Sequence, residues 1–275
     1  MIRIDAHQHF WQLTRGDYDW LTADLGVLYR DFLPDQLRPI LSKAEISKTV
    51  LVQAAATLEE SEFMLGLASN TDFIAGVVAW IDMEKPTAVS VLDRLGEHAA
   101  FRGVRPMIQD IADPQWMLKP ELAPVFKALI ERNLTFDALV KVEHLDALST
   151  LLQRYPELKL VIDHGAKPAI ATGSNDAWFT AIERLALETG ACCKLSGLMT
   201  EAGDTPTYQT LLPYMTHLLN CFGAERLMWG SDWPVVNLAG SYGEWLTHSE
   251  VFVASLSDAE QSAIWGDTAA GFYSL

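Results

Sequence analysis

Two histidines stand one residue apart near the start of the chain, in the stretch MIRIDAHQHFW. Residues two apart in a β-strand point to the same side, so His7 and His9 are expected to project together if the apolar run before them is a strand. Paired imidazoles are frequent ligands of divalent metal ions. The pair alone is weak support for a metal site, because histidines at the rim of a pocket are also held by hydrogen bonds only.

Two later apolar runs also end in residues that could join such a site. His164 follows KLVID, and Asp232 follows RLMWGS. Imidazole and carboxylate donors suit zinc or manganese, and a site with three protein ligands keeps a position open for water. We therefore predict one catalytic and metal-binding site composed of His7, His9, His164 and Asp232. The alternative is a set of rim histidines held by hydrogen bonds without an ion.

Further polar and aromatic side chains lie near the ends of other apolar runs. We assign them to substrate binding: Gln53, Trp80, Arg105, Lys167 and Trp233. The planar guanidinium of Arg105 suits oxygen atoms of a small substrate, and a salt bridge with Asp82 or Asp110 is the alternative. Lys167 and Lys194 are equally open to a structural role. The remaining histidines are expected at the surface without a function: His98, His144, His217 and His248.

Eight short apolar runs alternate with helical patterns along the whole chain. They read IRIDAH, TVLVQ, FIAGVVAW, FRGVRP, LTFDALV, KLVIDH, ACCKLSG and RLMWGSD. Continuous apolar runs are typical of parallel strands buried on both faces, and eight of them can close a (β/α)8 barrel. Capping-box patterns at Thr57–Glu60 and Ser257–Glu260 mark two helix starts. No repeat or flexible linker divides the sequence, so we predict an α/β fold with one TIM-like barrel domain over residues 1–275.

Two connections are longer than the others, and both follow strand ends. The first runs from Phe10 to about Pro34 and is rich in tryptophan and tyrosine, and the second contains MIQDIADPQWMLKP. Active sites of such barrels are built from the loops at the C-terminal strand ends. We interpret the two connections as loops that cover a small substrate, with simple packing on the barrel rim as the alternative for each aromatic residue.

The composition limits the partners. Acidic residues outnumber basic ones 36 to 20, which gives a net charge of −16. Such a charge repels nucleic acids and anionic membranes, so we expect neither as a partner and a small molecule instead. The three cysteines form no disulfide framework, and no signal peptide or apolar span is evident, so we expect a cytoplasmic protein. Assembly into a homo-oligomer is left open.

Five segments resemble the amidohydrolase superfamily: DAHQHFW, GVRPMIQD, VIDHGAKP, KLSG and ERLMWGSDWPV. The similarity is greatest to its sugar-lactone hydrolase branch, which contains the L-fuconolactonases, the L-rhamnonolactonases and, more distantly, the 2-pyrone-4,6-dicarboxylate lactonases. The segments run from Asp5 to Val235 in the expected order. The resemblance implies a distorted (β/α) barrel, a lactone hydrolase of carbohydrate metabolism, and a strand-eight aspartate, here Asp232, that activates water.

The chain departs from many members of that superfamily in its metal ligands. Those members hold two ions through a lysine or glutamate on strand four and a histidine on strand five. Here the two strands read FRGVRP and LTFDALV, which offer Arg105 and no histidine. We therefore expect at most one divalent ion, zinc ahead of manganese, and a metal-independent enzyme is the alternative.

Opening a lactone requires a nucleophilic water, a polarised carbonyl group and a proton for the leaving oxygen. We predict that Asp232 is the general base and that His7 and His9 polarise the carbonyl, directly or through the metal. The substrate is expected to be a neutral sugar lactone. A metal-dependent decarboxylase of the same superfamily is the alternative, and a non-catalytic barrel used as a binding module is the third interpretation.

Overall fold

Eight parallel β-strands form the centre of the molecule and lie side by side in the order of the sequence. The computed structural model describes residues 2–173, 175–203 and 206–275. The strands are β1 Ile4–Gln8, β2 Lys48–Val52, β3 Ile74–Ala79, β4 Phe101–Val104, β5 Thr135–Ala138, β6 Lys159–Ile162, β7 Cys192–Leu195 and β8 Leu227–Trp229. Each lies within or overlaps one of the eight apolar runs, so the predicted (β/α)8 barrel is confirmed.

Helices follow the strands and cover the outside of the barrel. They are α1 Pro34–Ala44, α2 Leu58–Ser69, α3 Ala88–Leu95, α4 Ala123–Glu131, α5 Leu145–Arg154, α6 Asp176–Glu188, α7 Leu198–Glu201, α8 Tyr208–Phe222, α9 Tyr242–Val253, α10 Asp258–Ser262 and α11 Thr268–Tyr273. The described part of the chain contains no helix both long and apolar enough to cross a membrane.

The two capping boxes form differently. Ser257 and Glu260 bond reciprocally, with the Ser257 N–H donating to Glu260 Oε2 at 2.9 Å and the Glu260 N–H donating to Ser257 Oγ at 3.4 Å. At α2, Thr57 Oγ1 accepts from the Glu60 N–H at 3.1 Å, but the Glu60 carboxyl group points away. It accepts instead from the Ala54 and Ala55 N–H groups of the β2–α2 loop, at 2.6–3.1 Å. The buried Glu60 therefore holds that loop.

Two groups of buried apolar side chains stabilise the barrel. The larger group lies between the strands and the surrounding helices. The smaller one lies on β1–β3, β6, β8 and α11, and includes Val50, Val78, Met228 and Tyr273. Burial of a side chain of this size stabilises a fold by roughly 1.5–3 kcal/mol. The functional residues at the C-terminal strand ends are therefore attached to a well-packed barrel.

The two long connections include residues that line a cavity at the barrel mouth, among them Trp20, Met107 and Asp110. In the first connection Trp11 and Tyr18 are buried in the core, whereas Trp20 is 36% exposed. One surface expectation was wrong. His144 is only 2% exposed, because its Nδ1 accepts a hydrogen bond from the Lys141 N–H at the start of α5.

Candidate active site

The meeting point of the first and last strands places two of the predicted residues. The Asp232 N–H donates to the His7 carbonyl at 2.8 Å, and the His9 N–H donates to the Trp233 carbonyl at 2.7 Å. Gly230 permits this approach, because a Cβ atom there would lie 2.7 Å from the Cβ of His7. The backbone bonds that join β1 to the segment after β8 thus bring the histidine pair to Asp232.

The side chains of this group converge on one point. His7 Nε2 lies 3.1 Å from His9 Nε2, and His9 Nε2 lies 3.3 Å from Asp232 Oδ1. His7 Nε2 is 3.8 Å from the same carboxylate oxygen. The other ring nitrogen of His9, Nδ1, is 2.7 Å from the Val52 carbonyl, to which it donates, so its Nε2 keeps a free lone pair. All three side chains are buried.

His164 completes the group from β6. Its Nδ1 lies 2.8 Å from Ser196 Oγ, and its Nε2 lies 3.8 Å from Asp232 Oδ1. The ring rests on Gly197, where a Cβ atom would lie 2.5 Å from His164 Nδ1. His164 and Asp232 both adopt positive φ angles, 54° and 57°. Such angles are uncommon for non-glycine residues and are enriched at functional sites.

These donors fit a divalent ion. The donor atoms of His7, His9 and Asp232 all lie within 4.8 Å of one another, and so do those of His7, Asp163 and His164. Two imidazole nitrogens and a carboxylate oxygen are ligands that zinc accepts. His9 also has the second ring nitrogen bonded to a carbonyl, which is the arrangement typical of metal-bound histidine. The two groups of donors share His7.

A cavity of about 340 Å³ opens above this group. His9, His164 and Asp232 line it, together with Arg105 and Lys167 of the predicted substrate-binding set. A larger cavity of about 840 Å³ lies elsewhere, between α1 and α9, and is lined by none of the four predicted ligands. We place the candidate active site in the smaller cavity, because His9, His164 and Asp232 line it together.

Comparison with known proteins identifies the family. A model of the amidohydrolase family matches residues 4–275. The chain belongs to the amidohydrolase family. It is 44% identical over 278 residues to the L-fucono-1,5-lactonase of Burkholderia ambifaria, and the match covers 100% of this chain and 96% of the relative. It is 38% identical over 288 residues to the L-fucono-1,5-lactonase of Burkholderia multivorans, again with 100% and 96% covered.

Solved structures agree with this assignment. Crystal structures of an amidohydrolase from Burkholderia multivorans, one with bound HEPES and one with bound zinc, match with a TM-score of 0.94 at 37% identity. Each match covers 100% of both chains. The predicted resemblance to the amidohydrolases is therefore confirmed.

The electrostatics keep the two central groups of this amidohydrolase in useful protonation states. Burial alone raises the pKa of Asp232, but His164, His9 and His7 more than offset this, so its pKa lies below the ordinary value. Burial lowers the pKa of His164 to about 4. At neutral pH Asp232 is therefore an ionised carboxylate able to accept a proton, and His164 is a neutral imidazole with a lone pair for a ligand.

A buried ion network lies below the histidines, and the sequence analysis identified only part of it. Lys194 Nζ lies 2.5 Å from Asp137 Oδ2, 3.0 Å from Asp163 Oδ1 and 3.1 Å from His7 Nδ1. Arg105 Nη1 is 3.4 Å from Asp163 Oδ2. Asp137 was missed, although its signal was present as a single carboxylate inside the apolar run LTFDALV. The predicted partners of Arg105, Asp82 and Asp110, are not the ones it contacts; Asp163 is.

The five predicted substrate-binding residues divide into three groups. Arg105 and Lys167 line the cavity, and Lys167 Nζ also lies 3.4 Å from Glu201 Oε1. Gln53 is fully buried and donates to the Arg105 carbonyl at 2.8 Å, so it helps to position Arg105 without lining the cavity. The other two residues are not among the cavity-lining residues of the described chain: Trp80, half-buried at the end of β3, and Trp233, buried against Phe10 and Phe32.

Proposed function

We propose that the protein hydrolyses L-fucono-1,5-lactone by water attack on the lactone carbonyl, with Asp232 as the general base. Two curated relatives matched over the whole chain are L-fucono-1,5-lactonases, and they confirm the sequence-based interpretation as a lactone-hydrolysing enzyme. The observation that carries the mechanism is the ionised Asp232 carboxylate, 3.3 Å from His9 Nε2 in a cavity suited to a small molecule.

The residues of the cavity can perform each step. Asp232 accepts a proton from the attacking water and returns it to the ring oxygen when the C1–O5 bond breaks. Arg105 presents N–H donors to the cavity and orients the lactone oxygens. Its guanidinium is held in place because it also donates to the Gln53 carbonyl and to Asp163. The sequence prediction for these roles is retained as the proposal.

Zinc is the proposed ion, held by His7, His9 and Asp232 with His164 beside them. A bound divalent ion would supply Lewis acidity toward the carbonyl group and lower the pKa of a water molecule. Hydrogen bonds within the chain fix the orientation of the ligand side chains. The Val52 carbonyl fixes the ring of His9, and Ser196 fixes the ring of His164.

The alternatives receive less support. A decarboxylase acts on a carboxylate substrate, whereas the two relatives that match at 44% and 38% identity are lactonases. A binding module would not need an ionised carboxylate beside three histidines. The single-domain boundaries 1–275, the cytoplasmic location and the remaining substrate-binding residues stay expectations from the sequence, and assembly into a homo-oligomer stays open.

The test is the substitution Asp232→Asn, which keeps the size of the side chain and removes its ability to take a proton. We expect kcat on L-fucono-1,5-lactone to fall by about 10²–10⁴-fold, as is typical when a general base is lost. The rate is measured by proton release with a pH indicator, with the spontaneous rate subtracted. Asp146→Asn, an exposed aspartate on α5, is the matched control. If the folded Asp232→Asn protein turns over at a near-wild-type rate, Asp232 is not the base.

A further inference from the structure

The active-site cavity has an apolar side that the proposed chemistry does not use. Trp20 and Leu238 line it although they are 36% and 45% exposed, and the half-buried Leu25 lies beside them. We call Trp20, Leu25 and Leu238 the apolar wall. Exposed apolar side chains are costly in a pocket that binds only hydroxyl groups, so the wall indicates that part of the substrate is apolar.

The wall is held by the same loops that carry the catalytic groups. Trp20 belongs to the β1 connection, and its indole N–H donates to the Ala54 carbonyl at 2.6 Å. Leu238 ends a short helical turn, Val235–Leu238, that begins three residues after Asp232. The Val236 N–H donates to the Asp232 carbonyl at 2.9 Å, which ties this turn to the catalytic carboxylate. The Leu238 end of the wall therefore lies on the Asp232 side of the cavity.

The chemistry of a 1,5-lactone places one particular carbon near that side. The leaving ring oxygen is bonded to C5, and C5 carries C6. Asp232 has to lie within proton-transfer distance of the ring oxygen, either directly or through one water. C6 therefore projects from the part of the ring closest to the loop that carries Asp232 and Leu238. In a 6-deoxy sugar C6 is a methyl group, whereas in the parent sugar it bears a hydroxyl.

We propose that the apolar wall binds the C6 methyl group of a 6-deoxy sugar lactone and selects against the 6-hydroxy analogue. This inference rests on the proposed lactonase function and adds the residues that set its specificity. The hydroxyl groups of the ring have other partners in the cavity, since Gln109, Asp110 and Lys167 also line it. A hydroxyl on C6 would find no hydrogen-bond partner among the wall side chains, because the Trp20 indole N–H already donates to the Ala54 carbonyl.

The experiment compares two lactones that differ only at C6. L-Fucono-1,5-lactone carries the methyl group, and L-galactono-1,5-lactone carries the hydroxyl. A pocket of this kind discriminates against an added hydroxyl by up to about 10²-fold, so we expect a kcat/KM ratio of roughly 10–100 in favour of the methyl substrate. Leu238→Asn keeps the number and branching of the side-chain heavy atoms and makes the side chain polar. It should lower the ratio several-fold, chiefly through kcat/KM for the methyl substrate, because the methyl group then faces an amide.

Leu187→Asn is the matched control, because Leu187 is a 78% exposed leucine on α6 that lines none of the active-site cavity in the described chain. The kcat/KM ratio of the two lactones for Leu187→Asn should equal that of the wild type. A wild-type ratio near one, or an unchanged ratio in Leu238→Asn, overturns the proposal for the wall while the lactonase function stands. If neither lactone is hydrolysed above the spontaneous rate, the lactonase function itself fails.

Discussion

Lys194 is the centre of the ion network below the histidines, and its loss should destabilise the whole barrel. The side chains of Lys194, Asp137 and Asp163 are all 0% exposed. Lys194→Met keeps the unbranched stem and removes the charge and its donors. Removing one partner of a buried ion pair typically costs about 3–5 kcal/mol, because the remaining charge is buried without compensation.

The remaining contacts indicate which carboxylate suffers most. Asp163 would keep Arg105, with its Nη1 3.4 Å away. Asp137 would lose its only nearby cation in the described structure and keep hydroxyl donors from Tyr273 at 2.6 Å and Thr135 at 3.2 Å. We therefore expect the free energy of unfolding to fall by about 3–5 kcal/mol. At about 2–4 °C per kcal/mol, Tm should fall by roughly 6–20 °C.

Urea unfolding followed by tryptophan fluorescence measures this loss. Lys127→Met, at an exposed position of α4, is the control and should change stability by no more than about 0.5 kcal/mol. The double variant Lys194→Met/Asp137→Asn also removes the uncompensated charge of Asp137, so it should recover part of the lost free energy of unfolding. A Lys194→Met protein within about 1 kcal/mol of the wild type would refute the reasoning. So would a double variant whose loss equals the sum of the single losses.

Two further predictions concern the metal and pH. Rigorous chelation should abolish most lactone hydrolysis, and one equivalent of zinc should restore the activity. Two tightly held equivalents of metal per chain, or full activity without metal, would contradict the single-ion proposal. Burial raises the pKa of Glu60 from 4.5 to about 8, so its contribution to stability is complete below pH 4.5 and is lost as the pH rises toward 8. Between pH 4.5 and 8 the urea midpoint should fall more steeply with pH for the wild type than for Glu60→Gln. Parallel curves for the two proteins would contradict the assignment of this pH dependence to Glu60.

The strands and the candidate ligands could be predicted because their signals are local. Each strand is an apolar run, and His164 and Asp232 follow two of those runs directly. The two-residue spacing of His7 and His9 is enough to put both imidazoles on one side of a strand. No knowledge of distant contacts is needed for these steps.

Other features depend on how the strands are staggered, which the sequence does not state. Asp137 lies on β5, Lys194 lies on β7 and Asp163 directly follows β6, so they meet inside the barrel only because of the relative register of these strands. Trp233 follows Asp232, but its side chain turns away from the cavity because β8 ends at Trp229 and Asp232 adopts a positive φ angle. The alternation rule for strands does not extend past that point, so the orientation of Trp233 could not be predicted.

The position of the site also explains why its parts are so far apart in the sequence. β1 and β8 are joined beyond their regular ends, through the isolated pairing of Gln8 with Trp233 and the bond from Asp232 to the His7 carbonyl. The same backbone bonds that complete the barrel therefore set the distance between the histidines and the general base. A change that opens this junction must also separate the catalytic groups. The contacts between β1 and the segment after β8 thus serve both the barrel and the active site.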